Sequence, residues 1–573
     1  MDRTGVAHVL DQIAALLELK SENPFRVRAF RNAARTVAAW PGSLEQGLAD
    51  GSLAATRGIG PAILEIVTEL VTTNRSQVYE ELREQVPAGL HEMLSISGLG
   101  VSKVRRIHEH LGIESLADLE AAARDGRLAE VPGFGPKSSE NVLRGLAFLR
   151  RAGTARLLHH ALREAEELRQ ALAGVTGVLA AIVAGEARRC VELVRDLVVV
   201  LVTDTTPAET FSRLAQIPGL DEFAGQDERR AILRFAGGET AQVVVTTPAN
   251  LGAVLVQATG SRGHVSRLAA HAATRGFTLQ GAALWRGSIF VPTPDEATLY
   301  RALGLPEIPP ELREGQDELA LAAVGLPPLV RGEDLRGFLH CHTSFSDGTS
   351  SVEELASACQ TAGYTYVGIT DHSSSDAYAG GMMAEDLERQ WAEVDRVNAR
   401  LSGIQVLKGI EVDILPDGRL DYGDELLGRF DFVIASLHDD AGLDEARMTQ
   451  RVLRAMDDPH MTIWGHPTGR LLLSREPYPL DLDVIFARAA ERGIALEVNA
   501  DPHRLDLDWR LLGRARAAGA MISIGADAHN VSGLGNMAYG VSMARKAALG
   551  PEAILNTRPL EEFLAFAQAR RGA

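Results

Sequence analysis

The chain contains little cysteine, with three residues in a total of 573. Cys190, Cys341 and Cys359 form no Cys-x-x-Cys pair, which argues against a zinc ribbon and against a disulfide framework. We therefore expect no disulfide-linked partner. The reducing cytoplasm is the expected location of such a chain.

Long apolar runs are also missing. No stretch of 18 apolar residues occurs, and no positively charged leader followed by an apolar segment opens the chain. We expect neither a membrane span nor a membrane partner. With 573 residues and 46% hydrophobic content, the chain is long enough for three or four globular domains.

The chain has no excess of basic charge. Its formal net charge is −18, and the residues from 336 onward contribute 23 basic and 35 acidic side chains to it. No strong basic footprint indicates nucleic acid, so DNA binding has to be argued from local motifs. Bound cations would offset part of the negative charge of this acidic C-terminal part.

This C-terminal part repeats one pattern, a short strand-like apolar run that ends in a residue of metal-binding type. Residues i and i+2 of a strand face the same side, which places His340 with His342 and Asp527 with His529. The runs alternate with helix-length sequence, as in parallel βα barrels, where functional residues collect at the carboxyl ends of the strands. One run ends instead at Asn499. The residues expected to converge are His340, His342, Asp347, His372, Glu411, His438, His466, Asp527 and His529.

Six imidazoles and three carboxylates are too many ligands for one tetrahedral ion. They suit two or three Zn²⁺, Mn²⁺ or Fe²⁺ ions, which lower the pKa of water and clamp the oxygens of a phosphoryl group. The alternative for any single histidine is a buried, hydrogen-bonded core residue, and Asp347 before Gly348 is also ordinary turn chemistry. The regular spacing predicts a hydrolytic metalloenzyme.

The motifs HCHT…SDG, TDH, GIEVDI, SLH, GHPTGR and DAH resemble those of the polymerase and histidinol phosphatase (PHP) domain. Over residues 336–573 the resemblance implies a distorted (βα)7 barrel with a trinuclear metal site that hydrolyses phosphoesters. The catalytic residues that we predict are His340, His342, Glu411, Asp527 and Arg470. We also predict phosphate contacts, because guanidinium groups bind phosphate bidentately; the alternative is surface arginines in loops. The residues concerned are Arg470, Arg475 and Arg504.

Three glycine turns punctuate the first 150 residues, each with an apolar residue between two glycines ahead of an amphipathic helix. The pairs are Gly58/Gly60, Gly98/Gly100 and Gly133/Gly135. Glycine permits close approach of the backbone, and a helix N-terminus presents unpaired N–H groups to a phosphate. The turns resemble helix-hairpin-helix motifs, which bind the DNA backbone without reading sequence. Lys103 and Lys137 lie where phosphate contacts would help, and plain αα-hairpin turns are the alternative.

The segments KSENPFRVRAFRNAARTVAAW, GEARRCVELVRDLVVVLV, QATGSRGH and LGLPEIPPELRE are similar to X-family DNA polymerases. Bacterial members of that family carry a PHP domain at the C-terminus, in the order found here. The resemblance therefore spans nearly the whole chain. It implies DNA as the partner, bound through its backbone as a gapped or 3′-ended duplex.

The implied polymerase site is degenerate. Of its three aspartates only Asp196 remains, while Val198 stands at the second position and Gln242 aligns with the third. Two-metal phosphoryl transfer needs a carboxylate cage, so we expect no Mg²⁺ cage in the palm and no polymerisation. Ile66 occupies the position of the lyase lysine, so that activity is not expected either. The remaining features, Arg188/Arg189 and Thr259–Ser261, either contact nucleotide or DNA phosphate or maintain a turn and an ion pair.

The predicted fold class is a multidomain α/β chain. Helix-hairpin-helix modules at 1–80 and 81–150 (the second fingers-like) precede a palm-like nucleotidyltransferase segment at 151–260, a thumb-like segment at 261–315, a linker at 316–335 and the PHP barrel at 336–573. The predicted function is a metal-dependent 3′→5′ exonuclease or 3′-end-processing phosphoesterase acting on DNA. The alternatives are an active gap-filling polymerase with a PHP exonuclease, a small-molecule phosphatase with inert DNA-binding modules, and a non-catalytic DNA-end-binding scaffold.

Overall fold

A computed structural model describes residues 3–20, 22–38, 40, 43–73, 76–94, 96, 99–152, 155–217, 219–235, 240–376, 379–439 and 442–571. The chain divides into two compact units. The first comprises residues 1–153 with Leu473–Arg475, and the second comprises residues 154–472 and 476–573. No helix among these described residues is both long and apolar enough to cross a membrane.

The first unit is helical. Its helices form because apolar residues recur at helical spacing, as on the second helix, where Val27, Phe30, Ala34 and Val37 are buried on one face. Serine side chains accept hydrogen bonds from backbone N–H groups at several helix N-termini, for example Ser115 from Asp118. The α-helices are α1 (Arg3–Leu19), α2 (Pro24–Ala38), α3 (Leu44–Ala49), α4 (Pro61–Thr73), α5 (Gln77–Gln85), α6 (Ala88–Met93), α7 (Val101–Leu111), α8 (Leu116–Asp125) and α9 (Pro136–Ala152), and a 3₁₀ turn spans Arg127–Glu130.

The second unit begins with an α/β segment. Its elements are β1 (Arg156–Leu157), α10 (Leu158–Ala173), β2 (Val178–Ala184), α11 (Gly185–Arg188), β3 (Leu193–Val194), β4 (Leu197–Thr203), α12 (Pro207–Leu214), β5 (Leu220–Gly225), β6 (Arg230–Phe235) and β7 (Thr240–Thr246). Five strands form one sheet in the order β2-β4-β7-β6-β5, with β4 and β7 parallel. Strand β4, LVVVLVT, is buried along its whole length, as the run of β-branched residues predicts for a central strand.

A small α/β segment follows. Its elements are α13 (Leu251–Thr259), α14 (Arg262–Thr274), β8 (Thr278–Gln280), β9 (Ala283–Arg286), β10 (Ile289–Val291), α15 (Glu296–Ala302) and α16 (Glu318–Val324), with 3₁₀ turns at Pro248–Asn250 and Pro310–Leu312. The three strands form an antiparallel sheet in the order β10-β9-β8. Its own apolar core includes Val256, Leu268, Leu284 and Leu299.

The remainder of the second unit is a closed barrel of seven parallel strands. The strands, paired in chain order, are β11 (Gly337–Cys341), β12 (Tyr366–Ile369), β13 (Gln405–Asp413), β14 (Phe432–Ser436), β15 (Met461–Trp464), β16 (Ala495–Asn499) and β17 (Met521–Ala528). The α-helices are α17 (Val352–Thr361), α18 (Ala384–Arg400), α19 (Asp424–Leu427), α20 (Glu445–Met456), α21 (Leu482–Arg492), α22 (Trp509–Ala517), α23 (Met537–Lys546) and α24 (Leu560–Gln568). The 3₁₀ turns lie at Gly332–Asp334, Val531–Asn536, Pro551–Ala553 and Leu555–Thr557.

Pairing of β17 with β11 closes the barrel, with Leu339 opposite Gly525 and Cys341 opposite Ala528. One apolar cluster that includes residues of β11 and β14 contains Leu339, Phe432 and Ile434. The mixed α/β fold class, with a helical N-terminus, a palm- and thumb-like region and a seven-stranded barrel, is confirmed. The limits of the six segments remain predictions.

Candidate metal centre and nucleic-acid elements

The carboxyl ends of the barrel strands carry the predicted ligands. A closed parallel barrel brings these ends to one rim, so residues far apart in the chain meet there. His340 and Asp527 lie at the ends of neighbouring strands with positive φ angles of 62° and 50°. The pairing of β11 with β17 is also irregular between Leu339 and Cys341. The alternation of side chains along a regular strand therefore does not account for the orientation of His340 and Asp527. A residue with a positive φ angle directs its side chain away from the position it would have in a regular pleated strand.

Glu411 occupies the centre of the cluster, and its two carboxylate oxygens face different histidines. Oε2 lies 3.3 Å from His340 Nε2 and 3.2 Å from His372 Nδ1. Oε1 lies 2.9 Å from His466 Nε2 and 3.6 Å from His438 Nε2. Glu411 therefore belongs to two groups of candidate ligands, one with His340 and His342 and the other with His438 and His466.

The other two predicted carboxylates serve separate parts of the cluster. Asp527 Oδ1 lies 3.2 Å from His342 Nε2, and Asp347 Oδ2 lies 3.2 Å from His529 Nε2. The rings of His342 and His529 stack with their centroids 4.5 Å apart. All nine predicted ligands fall into groups whose ligand atoms lie within 4.8 Å of one another, and Asp376 joins one of these groups.

Several ligand atoms are buried without a hydrogen-bond partner among the described residues. They are His340 Nε2, both ring nitrogens of His342, His372 Nδ1, Glu411 Oε2 and His466 Nδ1. Buried polar atoms are almost always hydrogen-bonded in folded proteins, so this concentration at one rim requires a partner of another kind. Imidazole nitrogens and carboxylate oxygens are the donor set of divalent transition metals, and these residues fit such ions.

The electrostatics of the centre favour positive charge. Burial alone would lower the pKa of His340, but Glu497, Glu411 and Asp527 raise it well above its usual value. Burial opposes ionisation of Glu411, yet the histidines around it hold its pKa well below the usual range. Burial and the neighbouring His372 and His529 lower the pKa of His342 to about 4, so this ring is neutral, as a ligand must be.

Sequence reasoning missed the carboxylates that orient these ligands. Glu497 on β16 accepts a hydrogen bond from His340 Nδ1 at 2.6 Å and from the His466 backbone N–H at 2.6 Å. A Cβ at Gly525 would lie 1.9 Å from Glu497 Oε1, so the glycine admits this carboxylate. The available signal was the position of Glu497, two residues before Asn499 on the same face of the strand.

Two further carboxylates stand beside motif residues. Asp413, two residues after Glu411, accepts a hydrogen bond from His438 Nδ1. Asp371, immediately before His372, accepts bonds from the Thr343 N–H at 2.7 Å and the Thr343 hydroxyl at 2.6 Å. Partners of this kind fix the orientation of ligating side chains and loops.

The three predicted phosphate-binding arginines differ in their surroundings. Arg504 Nε lies 3.4 Å from Asp527 Oδ2, and its Nη1 is buried without a partner among the described residues. All three guanidinium nitrogens of Arg470 donate instead to the 504–508 loop: Nε to the Arg504 carbonyl at 3.0 Å, Nη1 to Asp508 at 2.6 Å, and Nη2 to the Leu505 carbonyl. These contacts favour a positioning role for Arg470, and its predicted catalytic role remains a prediction. Arg475 is grouped with the first unit, and its phosphate-binding role also remains a prediction.

The palm-like sheet places the two substituted positions side by side. Val198 on β4 and Gln242 on β7 are register partners in parallel strands. Val198 is buried, and Gln242 Nε2 donates to Gln226 Oε1 at 3.2 Å. Asp196 lies exposed just before β4. This pair of register positions carries no carboxylate, and the alignment of Gln242 with the family's third aspartate remains a prediction.

The surviving arginines of the palm motif are engaged within the protein. Arg188 donates to both oxygens of Glu296 at 2.9 and 2.6 Å. Arg189 donates to the Thr259 carbonyl at 2.6 Å and to Glu314 at 3.1 Å. The Ser261 side chain accepts from the His264 N–H and so caps α14. These contacts favour the interpretation that the residues maintain a turn and ion pairs over the interpretation that they contact nucleotide or DNA phosphate.

The glycine turns of the first unit open directly onto helices. Helices α4, α7 and α9 begin at Pro61, Val101 and Pro136, each one residue after the second glycine of a pair. Gly58 and Gly133 have φ angles of 100° and 84°, which side chains rarely adopt. A Cβ at Gly60, Gly100 or Gly135 would meet no atom within 4 Å, so the space at these helix N-termini is open. Lys137 is exposed and Lys103 half-buried. Gly98 lies outside the described residues.

Comparison with protein families finds matches over four parts of the chain. A helix-hairpin-helix domain matches residues 1–76, and a SAM-like helix-hairpin-helix tandem matches residues 90–147. The DNA polymerase beta thumb matches residues 254–314, and the PHP domain matches residues 339–500. The predicted helix-hairpin-helix and PHP resemblances are confirmed, and the DNA-binding modules indicate DNA as a partner.

Individual relatives match either the whole chain or its barrel. The DNA polymerase/3′-5′ exonuclease PolX of Bacillus subtilis (strain 168) is 34% identical over 570 residues, which is 99% of each chain. A probable phosphatase of Thermoanaerobacter sp. (strain X514) is 26% identical over 229 residues, covering 38% of this chain and 89% of the relative. A probable phosphatase of Syntrophotalea carbinolica is 28% identical over 238 residues, covering 40% and 94%. The chain therefore belongs to the bacterial PolX-like members of the X-family DNA polymerases, which carry a C-terminal PHP domain.

Proposed function

We propose that this protein is a metal-dependent phosphodiesterase that processes DNA 3′ ends as a 3′→5′ exonuclease. The observation that carries the proposal is the convergence of nine ligand-type side chains on one barrel rim. Several of their nitrogen and oxygen atoms are buried without a hydrogen-bond partner in the part of the chain that the structure describes. The same chain carries helix-hairpin-helix modules, which bind nucleic-acid backbone. The whole-chain relative bears the name of a polymerase and 3′-5′ exonuclease.

The residues that would hold the ions are His340, His342, Asp347, His372, Glu411, His438, His466, Asp527 and His529. Bound divalent ions of the Zn²⁺, Mn²⁺ or Fe²⁺ type would supply a hydroxide nucleophile near neutral pH and Lewis acidity toward the phosphoryl oxygens. Glu497 holds the His340 ring in one orientation, and Asp413 does the same for His438. Asn499 Nδ2 donates to Asp527 Oδ2 at 3.0 Å and orients that carboxylate.

Arg504 is the group best placed to bind the scissile phosphate. Its guanidinium lies beside Asp527, and its buried Nη1 has no hydrogen-bond partner among the described residues. A guanidinium donates to phosphate oxygens in a fixed fork and retains its charge at any working pH. It would neutralise charge that develops on the phosphoryl oxygens during displacement.

We further propose that templated synthesis is lost, since Val198 and Gln242 offer no carboxylates between which two Mg²⁺ ions could be held. Gap filling remains a second candidate because Asp196 is present and exposed and the relative of full length bears a polymerase name. Phosphatase action on small phosphomonoesters is a third candidate, favoured by the barrel-length relatives named probable phosphatases.

The experiment uses the purified full-length chain with Mn²⁺ and a 5′-labelled primer in a gapped duplex, with and without deoxynucleotides. We expect the labelled strand to shorten, and His340→Ala to abolish the shortening. Arg504→Gln should retain Mn²⁺ binding but raise the KM for DNA. His460→Gln is the matched control, because His460 is a buried histidine of the same barrel that hydrogen-bonds Asp424 outside the ligand set.

Each candidate gives a distinct result when a small phosphomonoester is assayed in parallel with the primer. Shortening that survives His340→Ala would refute the proposal. Extension of the primer would establish gap filling and refute the proposed loss of synthesis. Release of phosphate from a phosphomonoester without any change in the primer would assign the centre to a phosphatase.

A further inference from the structure

We propose that Glu192, a residue of the palm-like segment, is a positioning residue for the Arg504 loop of the metal centre. It acts through a relay of three side chains, namely Arg510, Asp508 and Arg470. The inference rests on the proposed phosphodiesterase function of that centre. It gives the palm-like segment a role in hydrolysis that requires no polymerase chemistry.

The relay begins at a buried carboxylate. Glu192 is only 4% exposed, and its carboxylate is directed at helix α22 of the barrel. Oε2 accepts a hydrogen bond from Trp509 Nε1 at 3.2 Å, and Oε1 accepts from Arg510 Nη1 at 2.5 Å. Because an ionised carboxylate is stable in the interior only with such partners, these contacts tie Glu192 to the first turn of α22.

Arg510 also contacts Asp508, the N-cap residue of the same helix. Its Nη1 lies 2.9 and 3.0 Å from the two carboxylate oxygens of Asp508, so one nitrogen is shared between Glu192 and Asp508. Asp508 also accepts from the Arg510 backbone N–H at 2.9 Å and caps α22. Asp508 is thereby held by both the side chain and the backbone of Arg510.

Arg470 completes the relay on the far side of Asp508. Its Nη1 donates to Asp508 Oδ2 at 2.6 Å, and its Nε and Nη2 donate to the carbonyls of Arg504 and Leu505. Leu505 has a φ of 44°, a conformation that its side chain disfavours and that the surrounding bonds must maintain. Arg470 thus holds the backbone of Arg504, and the Arg504 guanidinium lies beside Asp527.

A second connection between the same segments serves as a reference. Lys546 on α23 is buried and donates to the Arg189 carbonyl at 2.9 Å and to Glu314 Oε1 at 2.5 Å. Glu314 also pairs with Arg189. Loss of the Glu314 charge would loosen the packing of these segments. Lys546 also lies over the Trp509 ring, 4.7 Å from its centroid, but its hydrogen bonds do not include Arg510, Asp508 or Arg470. Glu314→Gln is therefore the matched control for Glu192→Ala.

The test measures hydrolysis of thymidine 5′-monophosphate p-nitrophenyl ester by the full-length protein with Mn²⁺. This diester is too small to engage a DNA-binding module, so it reports on the barrel alone. We expect Glu192→Ala to raise the KM about tenfold, with a smaller change in kcat and an unchanged Mn²⁺ affinity, as for partners that orient an active-site group. Glu314→Gln should leave the KM unchanged while it lowers the melting temperature.

Arg510→Gln breaks the relay at a half-exposed side chain and should raise the KM equally, which provides a second variant if Glu192→Ala fails to fold. In an Arg504→Gln background, Glu192→Ala should cause no further rise in KM, since the residue acts through Arg504. An unchanged KM in the foldable relay variants, or an effect that adds to that of Arg504→Gln, would overturn the inference while wild-type hydrolysis upholds the proposed function. Absence of hydrolysis by the wild type would refute both.

Discussion

Glu497 accepts a hydrogen bond from Nδ1 of His340 at 2.6 Å. This bond leaves Nε2 of the same ring directed toward Glu411 and Asp527, at 3.3 and 3.6 Å. The other oxygen of Glu497 accepts the backbone N–H of His466. One carboxylate that is not itself a predicted ligand therefore positions two residues that are.

Glu497→Gln tests this relationship. The substitution retains the size of the side chain but removes the charge that favours the bonded tautomer of His340, so we expect Mn²⁺ affinity to fall about 10- to 100-fold. Calorimetric titration of the metal-free protein with Mn²⁺ measures the change. Glu561→Gln, on the exposed first turn of α24, is the control and should bind as the wild type does. Equal affinity in the two variants would show that Glu497 does not orient the ligand.

Asp196→Ala tests the palm. Because the neighbouring positions are Val198 and Gln242, we expect the wild type to incorporate no labelled nucleotide into a gapped duplex, even with Mn²⁺. Asp196→Ala should leave 3′-end shortening at the wild-type rate. Incorporation by the wild type that disappears in Asp196→Ala would establish a working polymerase site that uses another carboxylate.

Glu296→Gln tests the structural role of Arg188, which pairs with Glu296. Glu296 is buried between Arg188 and Arg313, and although burial opposes its ionisation, these arginines hold its pKa below the usual 4.5. Removal of one member of a buried charge cluster leaves the others unpaired, and we expect a loss of about 3 kcal/mol of stability near neutral pH. Thermal unfolding measures it.

The pH dependence of the Glu296 contribution has a definite sign. A depressed pKa in the folded state means that the stabilisation is complete above pH 4.5 and is lost as the pH falls through the folded-state value. The difference in melting temperature between wild type and Glu296→Gln should therefore shrink in acid. Glu307→Gln, at an exposed glutamate of the same segment, should show no such trend. A difference independent of pH would contradict the ion-pair role.

Lys137→Ala tests the hairpin of α9. Each phosphate contact contributes about 0.9 to the slope of log affinity against log salt, so we expect the slope to decrease by about that amount. Fluorescence anisotropy of labelled duplex DNA at several salt concentrations measures it. Arg124→Ala is the control, since that guanidinium pairs with Glu120. An unchanged slope for Lys137→Ala would place the DNA elsewhere.

Much of the metal centre could be predicted from the sequence, because its ligands follow apolar runs at the regular spacing of βα units. All nine predicted residues lie in groups of close ligand atoms. The alternation argument was nevertheless incomplete, since His340, His466 and Asp527 have positive φ angles that displace their side chains from a regular pleat. The predicted family and fold class are confirmed. Both could be predicted because they depend on the order of motifs along the chain, which can be read without knowledge of individual contacts.

Contacts between distant elements could not be predicted. Arg470 stands in the GHPTGR motif beside the ligands, yet its donors bind Asp508 and two carbonyls of the 504–508 loop. The sequence places Glu497 on the same face of its strand as Asn499, but its hydrogen bond to His340 is evident only in the folded barrel, where β16 pairs with β17. Arg188 and Glu296 are separated by 108 residues and meet only in the folded chain.

By itself, the sequence determined the helical and barrel segments, the family and the residue types of the metal centre, because local periodicity and motif spacing are properties of the chain. Only the tertiary structure decided which arginine faces the centre, which carboxylates orient the histidines and how Glu192 connects to Arg510. The physical reason is that a charged group in water has no preferred partner. Once it is buried, water is removed and the group must pair with one of the few side chains that packing brings within reach.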